Sequence, residues 1–238
     1  MIDMHVHILP GIDDGPQTLE EALELARMLV QEGVQYAVAT PHYNDEYPHC
    51  SASDVHKRVW SMQQELDRRN IPLRLLAGHE VLIKPGLVDD IRTGRVATLH
   101  RSRYLLLELW TEGWVPSTEN VIFELLASGI VPVIAHPERY RVIQQNPARL
   151  ARLLEIGALA QLTASSLLGK QGRTTRRTAE TLLREKLIYC IASDAHGVKE
   201  RPPDVIRSLC SAKGLLGNGQ VYQMMYVHPA AMLRDVMF

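Results

Sequence analysis

Seven short apolar runs, at 2–8, 34–40, 73–77, 104–110, 130–135, 158–162 and 187–192, recur along the chain, with amphipathic or polar stretches between them. Strand-length runs alternating with helical stretches fold as a parallel sheet, because each crossover helix must return the chain to the same end of the next strand. The intervening segments carry their own helix signals. Thr18 is a candidate N-cap with Glu21 three residues on, and Leu19, Ala22, Leu23, Ala26, Leu29 and Val30 recur at helical spacing until Gly33 ends the helix. Ser53 or Asp54 is expected to cap a second helix through Val55, Val59, Met62 and Leu66 to about Arg69. Further helices are expected at 86–92, 117–127, 147–156, 174–186, 204–213 and 229–236. This rhythm predicts an α/β fold, a distorted (β/α)7-type parallel barrel, with a doubly wound open sheet as the alternative. The whole chain, 1–238, is expected to form a single domain, since its length can enclose one large core and no linker-like composition divides it.

The polar residues that interrupt these runs are not scattered. The first run alternates, so Asp3, His5 and His7 share one strand face while Met4, Val6 and Ile8 take the other, and Leu9-Pro10-Gly11 stops the strand just past His7. His42, Glu80, Glu108, His136, Asp194 and His196 likewise fall at or near the C-terminal ends of their strands. In a parallel barrel that rim carries the active site. Each residue alone has an ordinary reading: a solvated edge histidine, a salt bridge, a helix cap. Eight imidazole or carboxylate groups from six strand ends, with Asp14 available from the Asp13-Asp14-Gly15 turn, point instead to divalent metal. An isolated Glu108 in an apolar strand needs a cation or a hydrogen-bonding partner, because burying a bare carboxylate is costly. Mixed His and carboxylate donors suit manganese, iron or zinc better than magnesium or calcium, and so many donors imply more than one ion. Ions about 3.5–4 Å apart can hold a phosphoryl oxygen and activate water.

Composition removes several alternatives. With 26 basic and 27 acidic residues the chain has no global field for a nucleic-acid backbone or an anionic membrane, so no nucleic-acid partner is expected. No apolar run approaches a membrane span and no basic-then-apolar leader opens the chain, which gives a cytoplasmic expectation. Cys50, Cys190 and Cys210 are odd in number and widely spaced, consistent with free thiols. A thiol-dependent tyrosine phosphatase needs an Arg six positions after its Cys; the residues there are His56, His196 and Leu216, which excludes that mechanism.

Asp3-x-His5-x-His7, Thr40-Pro41-His42, Gly78-x-Glu80, His136-Pro137-Glu138-Arg139-Tyr140 and Ser193-Asp194-Ala195-His196 together resemble the polymerase and histidinol phosphatase (PHP) superfamily. Leu9-Pro10-Gly11-Ile12-Asp13-Asp14-Gly15, Glu108 and Arg201-Pro202-Pro203 narrow the resemblance to the bacterial protein-tyrosine phosphatases of capsule and exopolysaccharide operons. The resemblance implies the PHP barrel and a cluster of three ions, manganese first, iron or zinc as alternatives. It implies that His5, His7, Glu80 and Asp194 hold one ion, that Glu80, Glu108 and His136 hold a second, and that Asp14, His42 and His196 hold a third. Arg139 and Arg201 would bind the substrate phosphate, a role that suits a planar guanidinium. Hydrolysis by a metal-bound hydroxide would release phosphate from phosphotyrosine on a bacterial tyrosine kinase, its C-terminal tail being the partner. A small-molecule phosphoesterase, acting on histidinol phosphate or a nucleotide, is the alternative within enzymes, and a metal-stabilised, non-catalytic regulatory domain is the alternative outside them. Tyr43, Thr163 and Gln171 depart from the family pattern at positions that are not ligands, which bears on substrate preference. Tyr43, Tyr47, Trp110, Trp114 and Tyr140 are candidates to wall the phosphotyrosine ring. His79 is expected on the opposite strand face from Glu80, and His49, His56, His100 and His228 are expected to be solvated or satisfied in the core.

Overall fold

A computed structural model describes residues 1–47, 50–110 and 117–235; His49 and Trp114, and the expected end of the last helix at 236, lie outside the described residues. Nine strands occur among the described residues: β1 (Ile2–Val6), β2 (Tyr36–Ala39), β3 (His42–Tyr43), β4 (Arg74–Ala77), β5 (Glu80–Leu82), β6 (Tyr104–Glu108), β7 (Val131–Ala135), β8 (Leu159–Thr163) and β9 (Cys190–Ala192). They form two sheets, β1-β2-β4 and β3-β5-β6-β7-β8-β9, and every paired strand runs parallel to its neighbour.

The two sheets are arcs of one ring. β2 falls within the second expected run, 34–40, and β3 continues the strand beyond Pro41, which has no N–H to give the ladder. β4 falls within the third expected run, 73–77, and β5 continues the strand beyond Gly78, where a Cβ would come within 2.9 Å of Leu99 and 3.1 Å of Val38. Backbone bonding bridges these breaks, with Gly78 N donating to Ala39 O at 3.0 Å and Glu80 N to Pro41 O at 3.1 Å. At the opposite seam His7 N donates to Ala195 O and Asp194 N to His5 O, each at 2.9 Å. With each broken pair counted once, nine strands become seven staves, the distorted barrel expected from the sequence.

Helices cover the outside. The helix Leu19–Gln31 starts with the expected reciprocal cap, Thr18 accepting from Glu21 N while the Glu21 carboxylate accepts from Thr18 N. The second helix, Ala52–Arg68, begins earlier than expected: Ser51 is the cap, and Asp54 is its partner at the third helical position. Helices Leu87–Arg92, Thr118–Ala127, Ala148–Glu155, Arg173–Arg184, Val205–Leu216 and His228–Arg234 overlap the remaining expected spans. Arg141–Gln145 and Asn218–Tyr222 are short additional helices. None is long and apolar enough to cross a membrane among the described residues.

Alternation along β6 and β7 divides the core. Leu105, Leu107 and Ile134 join the helical residues Val121, Ile122 and Leu125, while Leu106, Val133 and Ala135 face the other way and cluster with Met4, Val38, Leu99 and Met232. The expected uniform face of Met4, Val6 and Ile8 does not hold. The register between β1 and β2 shifts between Asp3 and Val6, so Met4 enters the second cluster while Val6 and Ile8 pack with Leu23, Ala26 and Leu29 of the first helix.

Candidate metal centre

The ring brings the first strand, the last strand and the loops beyond them to one end. β1 supplies His5 and, one residue past its end, His7; β3 supplies His42, β5 Glu80 and β6 Glu108. His136 and Asp194 follow β7 and β9 in left-handed backbone conformation, φ 34° and 52°, which turns the chain sharply at the rim. His5, His7, Glu80, His136, Asp194 and His196 are buried, and His42 and Glu108 are partly so.

All nine residues expected as ligands meet in one cluster. His5 Nε2 and His7 Nε2 face each other at 3.1 Å, and Glu80 Oε2 lies 3.2 Å from both. Asp194 Oδ1 is 3.3 Å from His5 Nε2. Glu80 Oε1 lies 2.7 Å from His136 Nε2, and its Oε2 lies 3.2 Å from His42 Nδ1. Glu108 stands 3.9 Å from both His42 and His136. Asp14 Oδ1 reaches His196 Nε2 at 3.2 Å and His42 Nε2 at 3.4 Å, and the His7 and His196 rings stack at 3.8 Å. Three sets are close enough to share an ion: His7, Asp14, His42 and His196; His5, His7 and Glu80; His42, Glu80 and Glu108. All three differ from the sets implied by resemblance: His7 joins Asp14, His42 and His196; Asp194 is not grouped with His5, His7 and Glu80; and His42, not His136, stands with Glu80 and Glu108.

The donor set fits a cation on chemical grounds. His5 Nδ1 is 2.8 Å from Gln161 Oε1 and His7 Nδ1 is 2.7 Å from Asp13 Oδ2, and both partners accept. A neutral imidazole has one N–H; with that proton on Nδ1, each Nε2 presents a lone pair. Two lone pairs and the Glu80 carboxylate then converge at 3.1–3.2 Å in a buried space, an arrangement that a positive ion resolves. His42 Nδ1 and His136 Nδ1 are also buried without a hydrogen-bond partner.

Without an ion the same crowding distorts ionisation. Burial disfavours the charged form of His7, yet the Asp13 and Glu80 carboxylates outweigh it and raise the ring to about 10. Burial, reinforced by nearby Glu80, pushes Glu108 up to about 8. His196 falls to about 4 through burial and the neighbouring His7, and His136 falls to about 4 through burial and Arg139.

Both expected phosphate-binding arginines converge on Asp194. Arg139 Nη2 lies 2.5 Å from Asp194 Oδ2. Arg201 grips both Asp194 oxygens, at 2.8 and 2.9 Å, and its Nη1 lies 2.7 Å from His196 Nε2. Two clefts open at the cluster. One of about 500 Å³ is lined by Asp14, Gln17, Glu24, His196, Lys199 and Arg201, and one of about 420 Å³ by Asn44, Asp45, Leu82, Glu108 and Trp110.

The aromatic candidates separate. Tyr47 stacks on His42 with ring centroids 5.8 Å apart, and Trp110 is 45% exposed beside Glu108. Tyr43 packs on His79 and under Lys84. Tyr140 is fully buried, its hydroxyl accepting from Leu109 N at 2.9 Å, so it belongs to the core and not to a substrate wall. His79 is buried and accepts from Ala97 N at 2.9 Å, and His228 packs on Tyr189. Thr163 bears on the site through a 3.3 Å hydrogen bond to Asp194, whereas Gln171 bonds Ser165.

Sequence reasoning missed two braces. Gln161 was legible only as a polar residue inside an apolar strand. Glu138, wholly buried, accepts from Thr163 N and Ser166 Oγ and anchors the turn that carries Arg139.

The model of the capsular polysaccharide synthesis family CpsB/CapC matches residues 1–234. The tyrosine-protein phosphatase YwqE of Bacillus subtilis is 36% identical over 201 residues, covering 84% of this chain and 79% of that protein. The putative tyrosine-protein phosphatase CapC of Staphylococcus aureus is 36% identical over 202 residues, covering 85% and 79%. A crystal structure from the work on YwqE of Bacillus subtilis and CpsB of Streptococcus pneumoniae, described as metal-dependent tyrosine phosphatases, superposes with a TM-score of 0.95 at 32% identity over 100% of this chain and 96% of that one.

Proposed function

The chain belongs to the CpsB/CapC family of capsular polysaccharide synthesis, and from that premise we propose that it is a metal-dependent protein-tyrosine phosphatase. Its substrate would be phosphotyrosine on a bacterial tyrosine kinase that controls polysaccharide synthesis, reached in the cytoplasm through the kinase's C-terminal tail. We read the chain as one catalytic domain. The observation that carries the reading is the convergence of five imidazoles and four carboxylates with two guanidinium groups at one end of the barrel.

His5, His7, Asp14, His42, Glu80, Glu108, His136, Asp194 and His196 would hold the ions, with manganese preferred and iron or zinc as alternatives. A bound divalent cluster supplies Lewis-acid stabilisation of phosphoryl oxygens and an activated water. The remaining work falls to the chain's own residues. Glu80 faces His5, His7, His42 and His136 at once, and so fixes the spacing of donors from three other strands. Arg139 and Arg201, tethered at Asp194, present forked donors that suit phosphate oxygens and draw the ester against the cluster. Tyr47 and Trp110 stand where they can flank an aromatic leaving group.

The test is substrate profiling of the purified full chain with and without chelator. Mn²⁺-dependent release of phosphate from phosphotyrosyl peptides is expected, and Glu80→Ala should lose at least one ion and nearly all turnover. Full activity after exhaustive chelation, or turnover of histidinol phosphate with none on phosphotyrosyl peptides, would reverse the assignment.

A further inference from the structure

We propose that Asp13 is a positioning residue whose negative charge, delivered through the His7 ring, sets the affinity of the centre for divalent metal. The inference rests on the metal-binding reading above and assigns a role to a residue that belongs to none of the three ligand sets. Asp13 is only 6% exposed. Its Oδ2 accepts from His7 Nδ1 at 2.7 Å and from the His42 backbone N–H at 3.1 Å, and its Oδ1 accepts from Gly15 N at 3.0 Å. One carboxylate therefore ties a ligand on β1, a ligand on β3 and the turn that carries Asp14.

Among the described residues Asp13 makes no ion pair with lysine or arginine; its ionic partner is the His7 ring. A buried carboxylate needs compensating positive charge. From Asp13 Oδ2 the His7 imidazole leads directly to the cluster, since its far nitrogen faces His5 Nε2 and Glu80 Oε2. A carboxylate on the Nδ1–H fixes the tautomer and makes Nε2 a stronger donor. The neighbouring ligand has no such support, because His5 Nδ1 is held at 2.8 Å by the neutral amide oxygen of Gln161. The two adjacent imidazoles thus differ in donor strength through their braces. The turn is shaped to bring the carboxylate in: a Cβ on Gly15 would lie 2.7 Å from His7 O and 3.0 Å from Asp13 Oδ1.

The test is titration of Mn²⁺ alone into the chelator-stripped full chain, with free Mn²⁺ read by electron paramagnetic resonance. Asp13→Asn retains an acceptor for His7 but not the charge. The variant, folded by circular dichroism, should bind its tightest Mn²⁺ about 10–100-fold more weakly than the wild type. Wild-type affinity in the folded variant overturns the inference and leaves the metal reading intact, whereas a wild-type chain that binds no Mn²⁺ overturns both. A second measurement needs no variant. In the Zn²⁺-loaded wild type, long-range ¹H–¹⁵N spectra should show His7 protonated at Nδ1 and metallated at Nε2, and the reverse tautomer overturns the role of Asp13.

Discussion

Removing one oxygen from the core tests whether the barrel rim is held as described. In Tyr140→Phe the ring stays, with its 5.5 Å contact to His136, and what is lost is the acceptor for Leu109 N. Leu109 is 4% exposed and directly follows Glu108 at the end of β6, so its N–H would be left without a partner where water has little access. An orphaned buried donor costs about 1–3 kcal/mol. At about 2–4 °C per kcal/mol for a chain of this size, the melting temperature should fall by about 2–12 °C. Burial holds the Tyr140 hydroxyl well above the ordinary phenol range, so the group stays protonated at any practical assay pH. Thermal and urea unfolding of the chelated protein would measure the loss, and an unchanged urea slope would show that the folded state has kept its compactness. A melting temperature within about 1 °C of wild type would refute the argument, since Leu109 N–H would then have found another partner.

Two further expectations follow from other parts of the molecule. Arg139→Ala should keep its full metal content but lose at least ~10-fold in phosphatase kcat/KM, because a charge-assisted hydrogen bond contributes about 1.5–3 kcal/mol; elemental analysis and steady-state kinetics check both, and full activity would count against phosphate binding by this residue. Away from the centre, burial works against the charge on Asp90, but Lys84 at 2.9 Å and Arg95 at 2.7 Å outweigh it and lower the carboxyl below its ordinary value. A lowered folded-state value means stability that is present above the unfolded carboxylate range and is lost as pH falls through the folded value. Asp90→Asn should therefore melt below wild type at pH 7, and the gap should close in acid; a gap that widens in acid would contradict the pairing.

The barrel and most of its rim were legible because they rest on local signals. Strand-length apolar runs read as strands whatever their neighbours, and a polar residue at the end of each run marks the rim. The continuation of two strands past Pro41 and Gly78 was not legible, since it depends on non-local packing: Gly78 is required by the approach of Leu99, and Pro41 gains its consequence only once Glu80 bonds its carbonyl. Ser51 displaced Ser53 and Asp54 as the cap of the second helix because Asp54 completes a reciprocal pair with it, a choice that three polar residues within four positions leave open. Met4 left its expected face because of a register shift in a strand pair, which alternation cannot reveal. Tyr140 sat in the motif with Arg139 and yet faces the core, because a run of sequence at a sharp turn sends neighbouring side chains in opposite directions.

The seam between β1 and the segment after β9 has a consequence for biosynthesis. His5 and His7 are made long before the residues that close the ring on them, for the carbonyl that receives His7 N–H and the amide that reaches His5 O belong to Ala195 and Asp194. Contacts this distant in sequence form late and slow folding. Until that segment is made the nascent chain carries histidines that have no completed site, and a product truncated before Asp194 would leave its barrel unclosed. Catalytic competence would then arrive as a single late event, withheld until the segment after β9 has been made.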